Sequence, residues 1–395
     1  MVGLLVWPLF LFIACARPQH SDPVSLPSPV SLQGEASQPQ VLHRSADQGP
    51  VPAIRSRHTG IYLSPADVPS VEGLPVWTDS LARLGITVIL LEMGTGNRSG
   101  ESQEIPIQGR VYFPTRLAKM ARDLFGELVP VAHRSGLSIF AVVSLRRMNW
   151  VDPALGWMDR SYDGARMQFR FTPYLDIFHP AFQEYAVGLF TDLARTGIDG
   201  VLFRNDVPLG PADAFSPFAL QAFERDFQTK ADLSKLFPMP VSGLTGTSRE
   251  AQREPARHGY SPEFWRWTGW KAREMIKVTA RLRRAMQSHT HPLQVALEIH
   301  PEAVTDPVQA LVQYGEDLLE AKRRGIDFFL VQRISQERPF SIPFLEQAGS
   351  LIGGMERLWV PVASTGPVGQ MAEWLTPAMD REQVDRRVGL IYMRN

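Results

Sequence analysis

The segment Leu193–Asp206 reads LARTGIDGVLFRND and contains the pattern that decides the fold. Its first part is amphipathic and ends at Gly197, in the position after a helix where a positive φ makes a Cβ costly. The run Val201–Phe203 that follows is apolar on both faces, as a parallel strand covered by helices must be. The segment therefore predicts a helix, a turn and a buried strand that brings a carboxylate, Asp206, to its carboxyl end.

The same helix–glycine–strand pattern recurs three more times along the chain. The copies are LARLGITVILLEM, AHRSGLSIFAVVSL and AKRRGIDFFLVQ. With the other apolar runs, they predict eight strands: His58–Leu63, Ile86–Met93, Leu137–Leu145, Ile198–Phe203, Leu293–Ile299, Ile326–Gln332, Trp359–Ala363 and Val388–Met393. The helices predicted between them include Thr115–Arg134, Ala181–Thr196, Pro262–His289 and Pro307–Arg324.

Eight such units predict a (β/α)8 barrel of the TIM type rather than an open doubly wound sheet. No G-x-G-x-x-G sequence follows the first strand, so the main signal for dinucleotide binding is absent. The sequence ends just after the eighth strand, which predicts a barrel without its last helix. The long segment Pro208–Ser261, after strand four, is expected to form an elaborated loop over the barrel mouth.

The amino-terminal residues predict targeting rather than fold. Residues 1–15, MVGLLVWPLFLFIAC, form an apolar run of signal-peptide length that ends at Cys15 in a lipobox-like sequence. Residues 16–57 are rich in Pro, Ser and Gln and predict a flexible tether to a barrel domain at 58–395. We expect a protein lipid-anchored through Cys15 at the periplasmic face of the outer membrane. The alternative is that Cys15 is only a buried cysteine of the apolar run.

Composition excludes several classes of partner. The 41 basic residues balance 41 acidic ones, so no overall charge favours a nucleic acid partner. Cys15 is the only cysteine, which excludes a disulfide within one chain. The sequence contains no H-E-x-x-H motif, no Cys/His cluster and no Walker sequence, and we therefore expect neither a metal nor any other cofactor.

Several polar and aromatic residues follow the predicted strands, at the end of such a barrel where chemistry takes place. Three carboxylates and several aromatic rings around one rim suit a sugar site, with acids for proton transfer and flat rings for stacking. The residues at these ends are Glu92, Arg146, Arg147, Asn149, Trp150, Asn205, Asp206, Glu298, His300, Gln332, Arg333, Ser364 and Thr365.

Each main candidate also has a purely structural interpretation. Glu92 is alternatively an ion-pair partner of Arg116 or Arg146. Asp206 is alternatively a cap of the loop that follows it. Glu298 lies in an apolar strand, where an unpaired charge is costly, so the alternative is a tight salt bridge. His300 is alternatively a rim histidine. Trp267 and Trp270 share one face of a predicted helix, and the alternative is that at least one of them packs in the core.

Three segments resemble one family, the carboxy-terminal glycoside hydrolase domain of PgaB-type proteins. They are VYFPTRLAKMARDLF, DGVLFRND and FWRWTGWKAREMIKVTARL, with FHPAFQEYAVGLFTDLA before the second, and the likeness covers most of residues 58–335. The resemblance implies a (β/α)8 fold, a periplasmic lipoprotein and hydrolysis of partially deacetylated poly-β-1,6-N-acetylglucosamine. It implies no deacetylase activity, because residues 16–57 are too few for the family's deacetylase domain.

The chain departs from that family at three strand ends. The family's strand four ends like FHDD, whereas this chain has FRND with Asn205 in place of a carboxylate. Its strand five resembles ARN followed by an aromatic residue, and here Glu298 and His300 occupy that region. At strand two the family tends to have an amide where this chain has Glu92. Because an amide does not exchange a proton at neutral pH, the carboxylates are either redistributed to Glu92 and Glu298 or the chain binds glycan without cutting it.

The sequence therefore predicts a glycoside hydrolase of an exported amino-sugar polysaccharide. Asp206 is the predicted general acid, and Glu298 or Glu92 is the second carboxylate. The residues predicted to bind substrate are Asn205, Tyr112, Arg116, Trp150, Trp267, Lys271 and His300. The main alternative is a non-catalytic glycan-binding lipoprotein that assists polysaccharide export together with the export machinery. A third is an unrelated barrel enzyme that acts on another cell-envelope glycan.

Overall fold

The computed structural model describes residues 58–95, 109–164, 166–237, 260–287, 292–332, 340–364 and 387–394. The predictions for the apolar amino-terminal run, Cys15 and the tether lie outside these residues, as do those for Arg333 and Thr365. Within these ranges, no helix combines the length and the apolar character needed to cross a bilayer.

A closed parallel barrel of eight strands forms the centre of the molecule. Its strand order is β1–β2–β3–β6–β7–β8–β9–β10, and β10 pairs with β1 to close it, with Gly60 opposite Ile391. This confirms the predicted (β/α)8 barrel. The strands of the described residues, including a two-stranded hairpin of β4 and β5, are β1 Thr59–Leu63, β2 Val88–Glu92, β3 Ser138–Ser144, β4 Met158–Asp163, β5 Gln168–Leu175, β6 Gly200–Arg204, β7 Gln294–Ile299, β8 Phe328–Val331, β9 Leu358–Ser364 and β10 Gly389–Arg394.

The barrel interior is filled by large apolar side chains from alternate strand positions, as period-two side-chain alternation requires. Trp359 and Phe328 stack there with ring centroids 4.7 Å apart, and the edge of Phe140 packs against Trp359. This cluster is separate from the larger one between strands and helices, so the interior is a packed core and not a channel. Its buried members are Val88, Leu90, Phe140, Val142, Leu202, Ala296, Phe328, Leu330, Trp359 and Ile391.

Helices follow most of the barrel strands and pack their apolar faces on the outer side of the barrel wall. The α-helices are α1 Leu74–Arg83, α2 Leu124–Arg134, α3 Pro180–Ala194, α4 Pro217–Phe227, α5 Leu233–Leu236, α6 Pro262–Met286, α7 Glu302–Thr305, α8 Pro307–Tyr314, α9 Leu318–Arg323 and α10 Ile342–Ile352. Short 3₁₀ helices occupy Pro65–Asp67, Val71–Gly73, Pro153–Leu155 and Met355–Arg357.

Two predicted helices differ from the structure. The helix predicted from Thr115 begins only at Leu124, because the Asp123 side chain caps it by accepting a hydrogen bond from the Gly126 N–H at 2.9 Å. The helix predicted over Pro307–Arg324 is two helices, α8 and α9, because Gly315 has a φ of 64° and ends the first of them. The break leaves Glu316 outside both helices.

The β4–β5 hairpin, which follows β3, was not predicted from the sequence. Its strands lack a continuous apolar run, and Phe171 is 72% exposed. The Tyr162 N–H donates to the Ala212 carbonyl at 2.8 Å, and the Phe215 N–H donates to the Arg160 carbonyl at 2.8 Å. The hairpin therefore packs against the segment that follows β6. That segment, predicted as a loop over Pro208–Ser261, contains α4 and α5, and its residues 238–259 lie outside the described part.

A buried polar cluster fastens the hairpin and this segment to the barrel. Arg146 is 2% exposed, and its Nη2 donates to Asp159 Oδ2 of β4 at 2.8 Å. Its Nη1 lies 3.4 Å from Asp213 Oδ2 of the segment after β6. From α6, Lys271 Nζ donates to the carbonyl oxygens of Gly210 at 2.7 Å and Asp213 at 3.0 Å. The side chains of Arg146 and Lys271 thus join the hairpin, the segment after β6 and α6 to one another.

Candidate active site

Four polar side chains form a layer at the carboxyl end of the barrel interior. Glu92, Arg204 and Glu298 each stand two positions beyond an interior residue of β2, β6 or β7, so strand alternation turns them inward. Tyr62 of β1 packs against the same interior cluster. The layer therefore contains both carboxylates that were predicted as alternatives for the second catalytic group, together with Arg204, for which the sequence analysis predicted no function.

Arg204 connects the members of this layer. Its Nε lies 3.4 Å from Glu298 Oε2, and its Nη1 donates to the Tyr62 hydroxyl at 3.5 Å. The Tyr62 hydroxyl donates in turn to Glu92 Oε1 at 3.0 Å. Burial raises the pKa of Tyr62 well above its usual value, so the hydroxyl keeps its proton. Burial alone would lower the pKa of Arg204, but negative charges, first that of Glu298, raise it above its usual value and keep the guanidinium charged.

Asp206 lies just beyond the end of β6, beside this layer. Its side chain is 3% exposed, and its nearest cation is Arg147, whose Nη1 lies 3.7 Å from Asp206 Oδ2. Neither carboxylate oxygen accepts a hydrogen bond from any residue that the structure describes, so Asp206 does not cap the following loop there. Buried carboxylates are normally hydrogen-bonded. Asp206 is therefore an exception, a buried carboxylate whose hydrogen-bonding capacity is not used by the described residues.

Asn205 points away from the barrel axis into a second network. Its Nδ2 donates to Glu316 Oε1 at 2.6 Å, and its backbone N–H donates to Glu298 Oε2 at 3.0 Å. Glu316 also accepts from His300, from Nδ1 at 2.8 Å and from the backbone N–H at 3.1 Å. His300 and Asn205, which were predicted to bind substrate at separate strand ends, are thus brought together by one carboxylate.

Glu316 was not among the predicted site residues, because it falls in the middle of the helix predicted over Pro307–Arg324. Burial raises the pKa of Glu316, whereas its hydrogen bonds from His300 and Asn205 lower it. A signal was present in the sequence, since Tyr314-Gly315-Glu316-Asp317 places a glycine and a capping residue around this carboxylate.

A cavity of about 60 Å³ lies behind this second network, between the barrel wall and helices α6 and α9. Phe203, Leu297 and Met275 line it, and Glu316 lies at its edge. Ligand pockets usually have volumes of roughly 300–1,000 Å³, so this cavity is too small for a sugar and is not the active site. Among the described residues, no group of three His, Cys, Asp or Glu side chains could hold a metal ion.

Two residues predicted to line the sugar groove are instead fully buried, and those predictions are wrong. Trp267 is 0% exposed and stacks on Phe215 with ring centroids 4.9 Å apart, so core packing, its alternative, describes it. Lys271 is 0% exposed within the polar cluster below the hairpin, where burial lowers its pKa to about 7. Both lie on α6, whose inner face packs against the segment after β6.

The other predicted binding residues lie in different places. Arg116 is exposed and lines a surface cleft against α3, away from the barrel interior, so its prediction is wrong. Trp150 is 8% exposed, packs against Gly94 and offers no open ring face. Tyr112 lies beside the end of β2, where its backbone N–H donates to the Met93 carbonyl at 3.1 Å, and burial and, to a lesser extent, the charge of Glu92 raise its pKa. Arg146, an alternative partner predicted for Glu92, pairs with Asp159 at 2.8 Å and Asp213 at 3.4 Å.

Comparison with known proteins gives a consistent assignment. The glycoside hydrolase domain of PgaB (BpsB) from Bordetella bronchiseptica is similar in structure, with a TM-score of 0.59, 19% identity, and coverage of 85% of this chain and 93% of that one. The catalytic domain of a beta-amylase from Paenibacillus polymyxa has a TM-score of 0.50 and 10% identity, with coverage of 85% and 91%. At such identities these likenesses show the fold alone. None of the curated proteins compared with the chain matches it.

Sequence evidence for the family is stronger. Residues 100–330 match the model of a family described as hypothetical glycosyl hydrolase family 13. The matched region begins after β2 in the chain, ends within β8 and includes Asp206, Glu298 and Glu316. Since the match covers more than half of the chain, the protein belongs to hypothetical glycosyl hydrolase family 13.

Proposed function

We propose that the protein hydrolyses an exported amino-sugar polysaccharide, namely partially deacetylated poly-β-1,6-N-acetylglucosamine. The observation that carries this proposal is the Asp206 carboxylate, which is buried at the barrel mouth without a hydrogen bond from any described residue. In a glycoside hydrolase, such a group is suited to protonate the oxygen of the leaving sugar. The family assignment and the similarity to the PgaB (BpsB) hydrolase domain support this substrate class.

Glu92 is the second carboxylate in this proposal. Glu298 Oε2 accepts the Asn205 backbone N–H at 3.0 Å and lies 3.4 Å from the Arg204 guanidinium, so this oxygen is engaged in holding the layer together. Glu92 Oε1 accepts from the Tyr62 hydroxyl, a neutral group, at 3.0 Å. Glu298 is the first of the negative charges that raise the pKa of Arg204 and Glu92 is a lesser one, so Glu92 interacts more weakly with this cation and is better suited to activate water or to stabilise positive charge on the sugar.

The charge of the site also favours an amino sugar. Three carboxylates, Glu92, Asp206 and Glu298, surround the mouth with two arginines, Arg147 and Arg204. The resulting excess of negative charge attracts the ammonium groups of a partially deacetylated glucosamine polymer.

Replacing Asp206 with asparagine is expected to reduce cleavage of partially deacetylated β-1,6-glucosamine polymer by at least about a hundredfold, because an amide cannot deliver the proton. The purified full-length protein is incubated with the polymer, and the chain-length distribution is followed over time. Asp79→Asn is the matched control, since Asp79 is an exposed residue of α1 that bonds to Ser135 and should tolerate the change.

Other outcomes of this assay would contradict the proposal in different ways. Tight binding without cleavage by the wild-type protein would favour a glycan-binding protein that assists export, the alternative that the amide at position 205 suggests. Cleavage of peptidoglycan or α-linked glycans, with no action on glucosamine polymer, would indicate another cell-envelope substrate. Full activity of Asp206→Asn would remove Asp206 from the mechanism.

We propose further that Cys15 carries a lipid anchor at the periplasmic face of the outer membrane, where the protein meets the polysaccharide-export machinery. The apolar run that ends in Phe12-Ile13-Ala14-Cys15 supports this. In a bacterial expression host, Cys15→Ser is expected to abolish labelling of the protein by a fatty-acid probe and to release it from the membrane fraction. Equal labelling of wild type and variant would contradict the proposal.

A further inference from the structure

Three side chains from different elements meet at the rim beside β7. His300 directly follows that strand, Asn205 follows β6, and Glu316 lies in the break between α8 and α9. Glu316 Oε1 accepts hydrogen bonds from Asn205 Nδ2 at 2.6 Å and from His300 Nδ1 at 2.8 Å. The Glu316 side chain is 8% exposed, so these bonds are made away from competing water.

The carboxylate determines which nitrogen of His300 carries the proton. Nδ1 must be the protonated nitrogen to donate to Glu316, and in the neutral imidazole Nε2 is then an acceptor. The ring stacks on Tyr314 with centroids 3.6 Å apart and planes within 5°, which prevents it from turning over. His300 keeps 13% of its side chain exposed, and Nε2 has no hydrogen-bond partner among the described residues. A lone pair of fixed direction therefore remains available at the rim.

We propose that Glu316 is a positioning residue that holds His300 as a hydrogen-bond acceptor for the substrate, and that Asn205 keeps Glu316 in place. The inference rests on the proposed function, because the donor is a hydroxyl or ammonium group of a sugar bound at the mouth. His300 touches the substrate, whereas Glu316 and Asn205 act through it. The amide of Asn205 thus serves as the hydrogen-bond donor to a buried carboxylate, Glu316, and its presence does not mean that a catalytic acid has been lost.

Moving the carboxylate from position 316 to position 205, and the amide from 205 to 316, distinguishes a positioning function of Glu316 from a merely structural one. In Asn205→Asp, a carboxylate oxygen would face Glu316 Oε1 at the present 2.6 Å, which is repulsive. In Asn205→Asp/Glu316→Gln, the introduced amide nitrogen takes the place of Oε1 and donates both to the introduced carboxylate at position 205 and to His300 Nδ1. The amide oxygen takes the place of Oε2 and keeps the hydrogen bond from the His300 backbone N–H. His300 Nδ1 then accepts, so the proton moves to Nε2 and the lone pair at the rim is lost.

The full-length wild type and both variants are compared by thermal unfolding and by ¹⁵N NMR of the histidine side chains, with the His300 signal assigned from a His300→Gln variant. We expect Asn205→Asp to lower Tm by roughly 5 °C or more, and the double variant to recover most of that loss. The wild type should show the Nδ1–H form of His300 and the double variant the Nε2–H form. Gln313→Glu, an amide-to-carboxylate change on the exposed side of α8, is the matched control and should change neither property.

Binding and turnover complete the test. In the double variant we expect KM for glucosamine oligosaccharides to rise about tenfold, with kcat within about twofold of wild type, because one hydrogen bond to the substrate is lost. A loss confined to oligosaccharides with free amines identifies an ammonium donor, and an equal loss for acetylated ones identifies a hydroxyl. An Nε2–H form in the wild type, or wild-type affinity in the stable double variant, would overturn the inference. If the wild type cleaves nothing, the proposed function fails, but the NMR and oligosaccharide-binding results still decide this inference.

Discussion

Replacing Arg204 with methionine is expected to lower the free energy of unfolding by about 3–5 kcal/mol, as removal of one partner from a buried ion pair usually does. The Arg204 side chain is 13% exposed and lies 3.4 Å from Glu298 Oε2. Without the guanidinium, Glu298 and Glu92 remain as like charges in the same buried layer. Urea unfolding of wild type and variant near neutral pH measures the difference, and cleavage should be lost together with the stability.

A second variant and a control distinguish this explanation from simple loss of packing. Arg204→Met/Glu298→Gln removes the uncompensated charge as well, so it should recover about half or more of the lost stability. Arg195→Met breaks a surface pair with Asp192 in which the arginine is 62% exposed, and it should cost less than about 1 kcal/mol. A loss below about 1 kcal/mol for Arg204→Met would show that the charge of Arg204 does not hold this layer together.

Replacing Asp176 with asparagine is expected to stabilise the protein at pH 8 by up to about 4 kcal/mol. Asp176 is 1% exposed, and burial, followed by the charge of Asp159, raises its pKa from 3.8 to about 7. Between pH 3.8 and about pH 7 the folded protein keeps a proton on Asp176 that the unfolded chain has released. The stability of the wild type therefore falls as pH rises through this range. Above pH 7 the full cost of the buried charge is present, and asparagine removes it.

Urea unfolding at intervals from pH 4 to pH 9 measures this dependence. Lys271 provides an internal contrast, because its pKa is lowered from 10.5 to about 7. The unfolded chain binds the extra proton above pH 7, so this group makes stability rise with pH there. In Asp176→Asn, the free energy of unfolding should therefore no longer fall as pH rises towards 7, and it should still rise with pH above 7. A variant less stable than wild type at pH 8, or a wild-type profile without the fall, would contradict the prediction.

The identity of the active-site face followed from short stretches of sequence. Gly197 and its three counterparts adopt positive φ, between 76° and 83°, directly before barrel strands, and this requirement is local to each turn. The strand runs are equally local, because they depend on apolar residues at consecutive positions. Once the barrel is inferred, the carboxyl ends of the strands follow, and with them Glu92, Asp206 and Glu298.

An amphipathic pattern does not show where a chain leaves a helix or which other segment covers each side of it. Trp267 and Lys271 were predicted to line a sugar groove from their place on a long helix beside the mouth. Which side of α6 faces the mouth and which faces Phe215 depends on how the segment after β6 packs on it. That segment is joined to the hairpin through Arg146, which bonds to Asp159 and pairs with Asp213. The sequence of α6 contains no signal for this packing.

By itself the sequence determined the barrel, the order of its strands and the end at which its carboxylates stand, since glycine conformation, strand burial and side-chain alternation are properties of neighbouring residues. Only the tertiary structure decided how those carboxylates are held. Arg204 reaches Tyr62 across 142 residues of the chain, and Asn205 reaches Glu298 and Glu316 across 93 and 111 residues. Hydrogen bonds between such distant residues depend on the closure of the barrel and on the helix break at Gly315, and no local pattern encodes them.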